Sequence, residues 1–314
     1  MRYIDIIIVN WNSGEQLHRC LSSIATYGAN QINKVVIVDN NSSDESLKYI
    51  KCFSLPLEII KNQRNIGFAA ACNQGAAICS AKYLLFLNPD TKLFPGSLSV
   101  PLAFMESDNN KQVGICGIQL VRKDGTIART CARFPTLWRF LAESSGISRI
   151  PIFGYTGMHM KEWDHANSQP VDQVIGAFFF VRRALFERLH GFDESFFVYF
   201  EEVDFSYRAN INGWSSWYLT EAKAFHEGGG TSRQVKDKRL FYSLRSRLLY
   251  AFKHLPTWQA ILVLFCTLGV EPFTRSLYCA LTGNISGIAN ILKAYKLLLQ
   301  DFSNIIVSIN RTSG

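Results

Sequence analysis

Three apolar runs in the amino-terminal half end abruptly in polar clusters, and this pattern constrains the fold more than any other feature of the chain. The runs cover residues 4–9, 35–38 and 83–87. Helix-like stretches lie between them, at residues 15–27 and 44–52. Because strands that alternate with helices pair in parallel, we expect a doubly wound α/β sheet.

The polar clusters are expected to meet at one edge of this sheet. They contain, in chain order, Asn10, Asn12, Asp39, Asn41, Asn88 and Asp90. Ligands of parallel sheets lie outside the carboxyl ends of the strands. The oxygens of Asp90 suit Mg²⁺ or Mn²⁺, which keep one or two protein carboxylates and take further ligands from substrate phosphates. The pattern predicts a nucleotide-diphosphate site, although Asn88-Pro89-Asp90 is also typical of an ordinary turn.

The nucleotide is not held by a common glycine-rich motif. Neither GxGxxG after the first run nor GxxxxGK[ST] anywhere occurs in the sequence. Residues 64–75, which include Asn65, Gly67 and Phe68, instead predict a loop that leads into a helix rich in small residues. Gly67 permits close backbone approach, and the helix start could meet phosphate, but small residues also serve tight packing.

Acidic residues and one histidine complete the candidate site. Glu201, Glu202 and Asp204 follow an aromatic stretch and predict either the negatively charged start of a helix or a general base whose proton affinity is raised. A single histidine is more often structural, but His226 precedes a flexible segment, Gly228 to Ser232, that could approach phosphate.

These motifs together resemble those of bacterial family 2 glycosyltransferases of the GT-A type, and in particular the rhamnosyltransferase-like members. The matching segments are residues 9–12, 38–44, 65–69, 88–90, 191–194, 200–204 and 226–229, in family order. The resemblance implies a GT-A fold, a Rossmann-like mixed α/β sheet flanked by helices.

The resemblance also implies roles for individual residues. Asp39 would bind the donor's pyrimidine base, Asp90 and His226 would hold Mg²⁺ or Mn²⁺, and Glu202 would be the catalytic base. The remaining donor-binding positions would be Asn10, Asn12, Asn41, Asn65, Gly67, Phe68 and Asn88. The metal-binding motif here starts with the neutral Asn88, so the ion would rest on Asp90, His226 and the diphosphate. Glu201 and Asp204 remain rival bases.

The middle segment of the chain lacks a regular pattern. Residues 130–174 show little periodicity and predict an irregular insert on the acceptor side, where Trp163 could stack on sugar and Asp172 could bind it. Residues 174–181 predict a strand, in which Gly176 would admit an acceptor or form a bulge.

Charge divides the chain. Residues 1–232 hold 22 basic and 22 acidic side chains, whereas residues 233–314 hold 11 and 3, so the net charge of +8 lies in the last segment. We therefore expect a catalytic domain at 1–232, with a donor half at about 1–125 and an acceptor half at about 126–232, and a basic amphipathic helical extension at 233–314.

This extension predicts attachment to an anionic membrane surface. Its apolar run, residues 260–270, is bounded by Glu271-Pro272 and is too short to span a bilayer comfortably. Amphipathic helices on the inner leaflet fit better. The alternative is that the helices cover the catalytic core or a second copy in a homodimer. No nucleic-acid-binding module accompanies the basic charge.

The residues and the resemblance lead to one functional hypothesis with two alternatives. The chain would be a metal-dependent, inverting glycosyltransferase, cytoplasmic and peripheral on the inner face of the plasma membrane. It would move a sugar, rhamnose from dTDP-rhamnose, onto a lipid-linked or nascent cell-surface polysaccharide such as O-antigen. The alternatives are a UDP-hexose or UDP-galactofuranose donor, and a non-catalytic scaffold that binds nucleotide-sugars.

Overall fold

The computed structural model describes residues 3–48, 50–229 and 236–312, which form two compact units. Unit 1 comprises Met1–Ala132, Trp163–Glu194 and Glu201–Thr231; unit 2 comprises Arg133–Glu162, Ser195–Phe200 and Ser232–Gly314. The predicted domain limit at residue 232 stays a prediction. The structure groups two earlier segments with the carboxyl-terminal helices.

Unit 1 is built on a mixed sheet with the order β3-β2-β1-β4-β8-β6-β9-β5, in which β7 also pairs with β9. The strands are β1 (Ile4–Asn10), β2 (Ile32–Asp39), β3 (Leu57–Lys61), β4 (Tyr83–Leu87), β5 (Thr91–Leu93), β6 (Val113–Val121), β7 (Gln169–Val171), β8 (Phe178–Arg182) and β9 (Ser215–His226). The first four are parallel, as the sequence pattern predicts, and β8 runs antiparallel to both β4 and β6. The predicted mixed sheet flanked by helices is confirmed.

Five helices of unit 1 flank this sheet: α1 (Glu15–Tyr27), α2 (Phe68–Ala76), α3 (Ser99–Glu106), α5 (Arg183–Arg188) and α6 (Glu201–Ile211). The strand β1 is buried along its whole length, because its side chains alternate between two hydrophobic clusters, one on each face. The small residues of α2 serve packing in part. A methyl group on Gly75 would lie 2.7 Å from the Ile7 side chain, so only glycine lets α2 approach β1 this closely.

Three local predictions were wrong. Residues 44–48 form turns and Ile50–Cys52 form a short 3₁₀ helix, because Asp44 accepts hydrogen bonds from the amide and hydroxyl of Ser46 and so favours a turn over a helix. The strand predicted at 174–181 begins only at Phe178. The segment predicted to be irregular contains the helix α4 (Leu137–Ser144), whose first turn is capped by the hydroxyl of Thr136.

Unit 2 is helical throughout its described elements. It contains α4, the 3₁₀ helices Ile147–Arg149 and Pro151–Thr156, and then α7 (Lys236–His254), α8 (Thr257–Phe265), α9 (Glu271–Leu281), α10 (Ile285–Gln300) and α11 (Phe302–Thr312). A π-helical turn, Cys266–Val270, joins α8 to α9 without a break. The expectation that the segment around residues 260–270 is too short to span a bilayer was therefore wrong, since Pro272 lies in the first turn of α9, where proline is tolerated, and the helix continues to Leu281.

The resulting continuous helix, Thr257–Leu281, has 25 residues, and we call it the outer helix. Among the described residues it is the one helix that is long and apolar enough to cross a membrane, although length and composition alone are weak grounds for a span. Only 22% of its apolar window is buried in the protein.

Candidate functional site

Asn10 and Asp39 form a buried hydrogen-bonded pair at the ends of β1 and β2. The side-chain amide of Asn10 donates to the Asp39 carboxylate over 2.7 Å and to the hydroxyls of Ser42 and Ser46 over 3.0 and 2.8 Å. The Ser42 amide donates to the other Asp39 oxygen over 3.2 Å. Asn10 and Asp39 lie side by side because they are register partners in the parallel pairing of β1 with β2. A nucleotide-sugar that reaches Asp39 would therefore meet a carboxylate that is already held in place.

Two further asparagines shape the loops above this pair. Asn12 and Asn41 both have positive φ, at 50° and 61°, which asparagine tolerates better than most residues. The side-chain oxygen of Asn12 accepts from the Ser43 amide over 2.7 Å. Asn12 thus joins the loops that follow β1 and β2, whereas contact of Asn12 or Asn41 with a donor stays a prediction.

The loop before α2 has the geometry that its glycine predicts. Gly67 adopts φ 92°, which favours glycine, and it caps the start of α2 at Phe68. The Asn65 side chain accepts from the Gly67 amide over 2.9 Å, and the Asn40 side chain donates to the Gly67 carbonyl over 2.9 Å. Asn65 and Gly67 are therefore joined to the strand end that carries Asp39, as a shared site requires.

Asp90 and His226 are neighbours although 136 positions separate them in the sequence. Antiparallel pairing places Thr91 opposite His226, and the Glu227 amide donates to the Asp90 carbonyl over 3.1 Å. An Asp90 carboxylate oxygen lies 3.2 Å from His226 Nε2, and both side chains are largely buried. Of the glycine-rich segment after His226, Gly230, Thr231 and Ser232 lie outside the described residues.

This pair fits a divalent cation as part of a larger ligand set. One carboxylate oxygen and one imidazole nitrogen suit Mn²⁺, and the carboxylate also suits Mg²⁺. In the described parts of the chain, no cluster of three or more His, Cys, Asp or Glu side chains could hold an ion. An ion at Asp90 and His226 would therefore need ligands from a substrate, such as diphosphate oxygens.

Asn88 connects this pair to the acidic start of α6. The Asn88 amide donates to the Ala177 carbonyl over 3.1 Å. Gly176, which directly precedes Ala177, donates a hydrogen bond from its backbone amide to the Glu202 carboxylate. A methyl group on Gly176 would lie 3.9 Å from the Glu202 side chain, so the space beside this glycine faces Glu202. The alternative of a strand bulge at Gly176 was wrong, because the residue lies in a turn before β8; the approach of an acceptor to Gly176 stays a prediction.

Glu201 and Glu202 form a carboxyl pair with unusual proton affinity. Each has one carboxylate oxygen that is buried and has no hydrogen-bond partner. Burial, and then the charge of Glu202, raises the pKa of Glu201 well above its ordinary value. Burial also raises the pKa of Glu202, although the amides of Glu202, Val203 and Gly176 oppose that rise. Since Glu201 is the more buried, burial favours its neutral form more strongly than that of Glu202.

Asp204 differs from these two residues because its carboxylate is fully buried and paired with Arg208 over 2.7 Å. The Arg208 guanidinium also donates to the carbonyls of Leu189 and Gly191. Asp204 therefore fixes the start of α6 against the preceding loop. Among the three acidic candidates, Glu202 has the greatest exposure.

Sequence reasoning missed a strained backbone next to this carboxyl pair. Tyr199 and Phe200 both adopt positive φ, at 67° and 70°, immediately before α6 begins at Glu201. Bulky residues rarely adopt this conformation, and such strain gathers at functional sites. No residue-type signal marks it, because neither residue is Gly, Asn or Asp.

The acceptor candidates have different surroundings. The Trp163 ring stacks on His165, with ring centroids 4.1 Å apart, and meets Tyr218 edge-on, so one of its faces is covered by protein. Asp172 follows β7. A sugar-binding role for either residue stays a prediction.

Fold and site together define a class of protein. A mixed α/β sheet with polar strand ends, a carboxylate–imidazole pair and a carboxyl pair at a helix start has the architecture of a GT-A glycosyltransferase. The mannosyltransferase PcManGT from Pyrobaculum calidifontis, solved with GDP-Man and Mn²⁺, has a similar fold, with a TM-score of 0.55 at 13% identity over 99% of this chain and 85% of that one.

The chain belongs to glycosyl transferase family 2, whose model matches residues 5–204, and it is therefore a transferase. It is 23% identical to the N-acetylglucosaminyl-diphospho-decaprenol L-rhamnosyltransferase of Mycobacterium tuberculosis (strain CDC 1551 / Oshkosh), over 82% of this chain and 87% of that protein. It is 26% identical to the rhamnosyltransferase WbbL of Escherichia coli (strain K12), over 79% and 92% of the two chains. The family resemblance drawn from the motifs is confirmed.

Proposed function

We propose that this protein is a metal-dependent, inverting rhamnosyltransferase that uses dTDP-rhamnose as donor and a lipid-linked saccharide as acceptor. Two relatives that each match about four fifths of the chain carry rhamnosyltransferase names, and one of these names specifies a diphospho-decaprenol acceptor. Both matches extend beyond the family model into unit 2. The donor and the acceptor are proposals that rest on this likeness.

The carboxyl pair of Glu201 and Glu202 is the observation that favours an enzyme that transfers a sugar over a protein that only binds a nucleotide-sugar. A nucleotide-sugar can be bound by hydrogen-bond donors, whereas transfer to a hydroxyl needs a base. Glu202 combines a buried, unpartnered carboxylate oxygen with a pKa raised by burial. A scaffold protein gains nothing from the desolvation of two adjacent carboxyl groups, so their presence favours an enzyme.

The proposed reaction is one displacement. Glu202 takes the proton of the acceptor hydroxyl as its oxygen bonds to the anomeric carbon. The bond from that carbon to the diphosphate oxygen breaks, and the nucleoside diphosphate leaves with the electron pair. A single displacement inverts the anomeric configuration, as in other glycosyl transfers with one attacking group.

The other residues bind and orient. Asp39, held by Asn10, would accept hydrogen bonds from the pyrimidine base, and the amide at the start of α2 would face phosphate. Asp90 and His226 would hold Mg²⁺ or Mn²⁺, which when bound neutralises charge on the departing diphosphate. Burial raises the pKa of Glu201 well above its ordinary value and so favours a neutral side chain beside Glu202.

Calorimetry with a panel of nucleotide-sugars, with and without Mn²⁺ or Mg²⁺, tests the proposal. We expect dTDP-rhamnose to bind more tightly than UDP-glucose or UDP-galactofuranose, and Asp90→Asn to abolish the dependence on metal. Asp108→Asn is the matched control, because Asp108 is exposed and distant in sequence from the site. A preference for a UDP-sugar would overturn the donor. Binding of donor without any transfer or donor hydrolysis would favour the scaffold.

A further inference from the structure

The outer helix has one buried face and one exposed apolar face. Its buried residues recur every three or four positions, at Ala260, Val263, Thr267 and Glu271. Large apolar side chains are exposed three or four positions apart on either side of the exposed Gly269: Trp258, Leu262 and Phe265 before it, and Phe273, Leu277 and Leu281 after it. Phe273 is 74% exposed and Leu281 is 79% exposed, although such residues are normally the ones that fold into a core.

A second apolar segment of unit 2 lies beside this helix. Residues 147–155 expose Ile147, Ile150, Ile152, Phe153 and Tyr155. The Arg149 guanidinium lies 5.1 Å from the centre of the Tyr278 ring, and this contact places the segment next to α9. We call the exposed side chains of the outer helix and of residues 147–155 the apolar face. Contiguous apolar patches of this kind on a protein surface mark an interaction site.

A buried ion cluster at the centre of the outer helix determines which face of the helix is available to a membrane. Glu271 is fully buried and accepts from Arg275 over 2.7 Å, and it also pairs with Arg247 of α7. The Ser144 hydroxyl of α4 donates to the same carboxylate over 3.2 Å. A helix that crossed a bilayer alone would leave this carboxylate in hydrocarbon, which is costly. The ion cluster instead holds the inner face on α4 and α7 and leaves only the outer face for lipid.

The net positive charge of unit 2 favours an anionic bilayer over a second copy of the chain as the partner of the apolar face. Unit 2 contains 15 Lys and Arg against 5 Asp and Glu, whereas unit 1 contains 18 against 20. Lys238, Lys293 and Lys296 are among its exposed cations. Two copies that met through unit 2 would bring like charges together. An anionic lipid surface, by contrast, attracts the lysines and arginines that lie near it.

We propose that unit 2 docks on an anionic lipid bilayer through the apolar face, with the outer helix lying in the plane of the interface. The phenylalanine and leucine side chains enter the acyl boundary, and the net positive charge of unit 2 attracts the anionic headgroups. This inference is independent of the proposed function, because it concerns neither the donor nor the chemistry of transfer.

Vesicle co-flotation of the full chain tests the docking. We expect binding to vesicles that contain phosphatidylglycerol, weaker binding to pure phosphatidylcholine, and a loss of at least tenfold in affinity when Phe265, Phe273 and Leu277 are all changed to Gln. These side chains are exposed, so the fold should survive, which thermal melting checks. Ile211→Gln is the matched control, since Ile211 is 63% exposed and belongs to unit 1.

Unchanged flotation of the triple variant would overturn the proposal. Failure of the parent chain to bind vesicles would do the same, above all if the parent sediments as a dimer that the triple variant converts to a monomer. Orientation has its own test, in which protein is added outside sealed vesicles and treated with an impermeant amine reagent. Labelling of both Lys238 and Lys296 is expected for an in-plane helix, and protection of Lys296 alone would show a span.

Discussion

The substitution Glu202→Gln should abolish transfer while leaving the fold and donor binding intact. The carboxylate of Glu202 accepts from the amides of Glu202, Val203 and Gly176, and the amide oxygen of glutamine can accept from the same donors. What the variant loses is the ability to take a proton. A positioned general base contributes about 10²- to 10⁴-fold in rate, or about 3 to 5.5 kcal/mol in activation free energy.

The matched control is Glu201→Gln. Burial and the neighbouring Glu202 raise the pKa of Glu201 well above its ordinary value, which favours the neutral acid, and glutamine imitates that form. We expect Glu201→Gln to keep most of its activity. The parent should also lose activity as the pH falls through the raised pKa of Glu202, because the protonated acid cannot act as a base.

Steady-state kinetics at saturating donor and acceptor, together with calorimetry for donor affinity, separate these outcomes. A kcat that falls at least a hundredfold in Glu202→Gln at unchanged donor affinity supports the assignment. Full activity in Glu202→Gln and its loss in Glu201→Gln would refute it and make Glu201 the base. Loss of donor binding in Glu202→Gln would place Glu202 in the donor site instead.

Three further predictions concern stability. Gly191→Ala places a methyl group 2.5 Å from the Asn73 side-chain oxygen at φ 70°, whereas in its control, Gly213→Ala, the methyl group meets no atom within 4 Å at φ 81°. Chemical denaturation should therefore show a greater loss of unfolding free energy for Gly191→Ala. Equal losses would contradict the clash. The raised pKa of Glu201 contributes stability that is present below pH 4.5 and is lost as the pH rises through the folded-state pKa. Glu201→Gln should therefore flatten the dependence of the thermal unfolding midpoint on pH. An unchanged slope would count against the raised pKa. Arg247→Met should cost about 3–5 kcal/mol in unfolding free energy, because it leaves the buried carboxylate of α9 short of a partner, and a loss below about 1 kcal/mol would contradict this.

The sequence determined the strands and the helix whose patterns are local. The strand β4 and the helix α1 have the limits that periodicity predicts, since an apolar run between polar breaks leaves few alternatives. The helix expected at residues 44–52 failed because hydrogen bonds from Ser46 to Asp44 compete with the helical backbone. The apolar run at 260–270 belongs to a longer helix because Pro272 occupies the first turn of α9, where proline is tolerated, and so does not interrupt it.

The pattern of the chain alone therefore fixed the α/β class, the polar strand ends and, through its motifs, the family. Tertiary structure decided which of these residues meet. The pairing of β5 with β9 sets Asp90 against His226, the turn at Gly176 provides an amide for Glu202, and burial separates the proton affinities of Glu201 and Glu202. Contacts between distant segments and the loss of water around a carboxyl group both depend on the packed fold, so no local pattern could encode them.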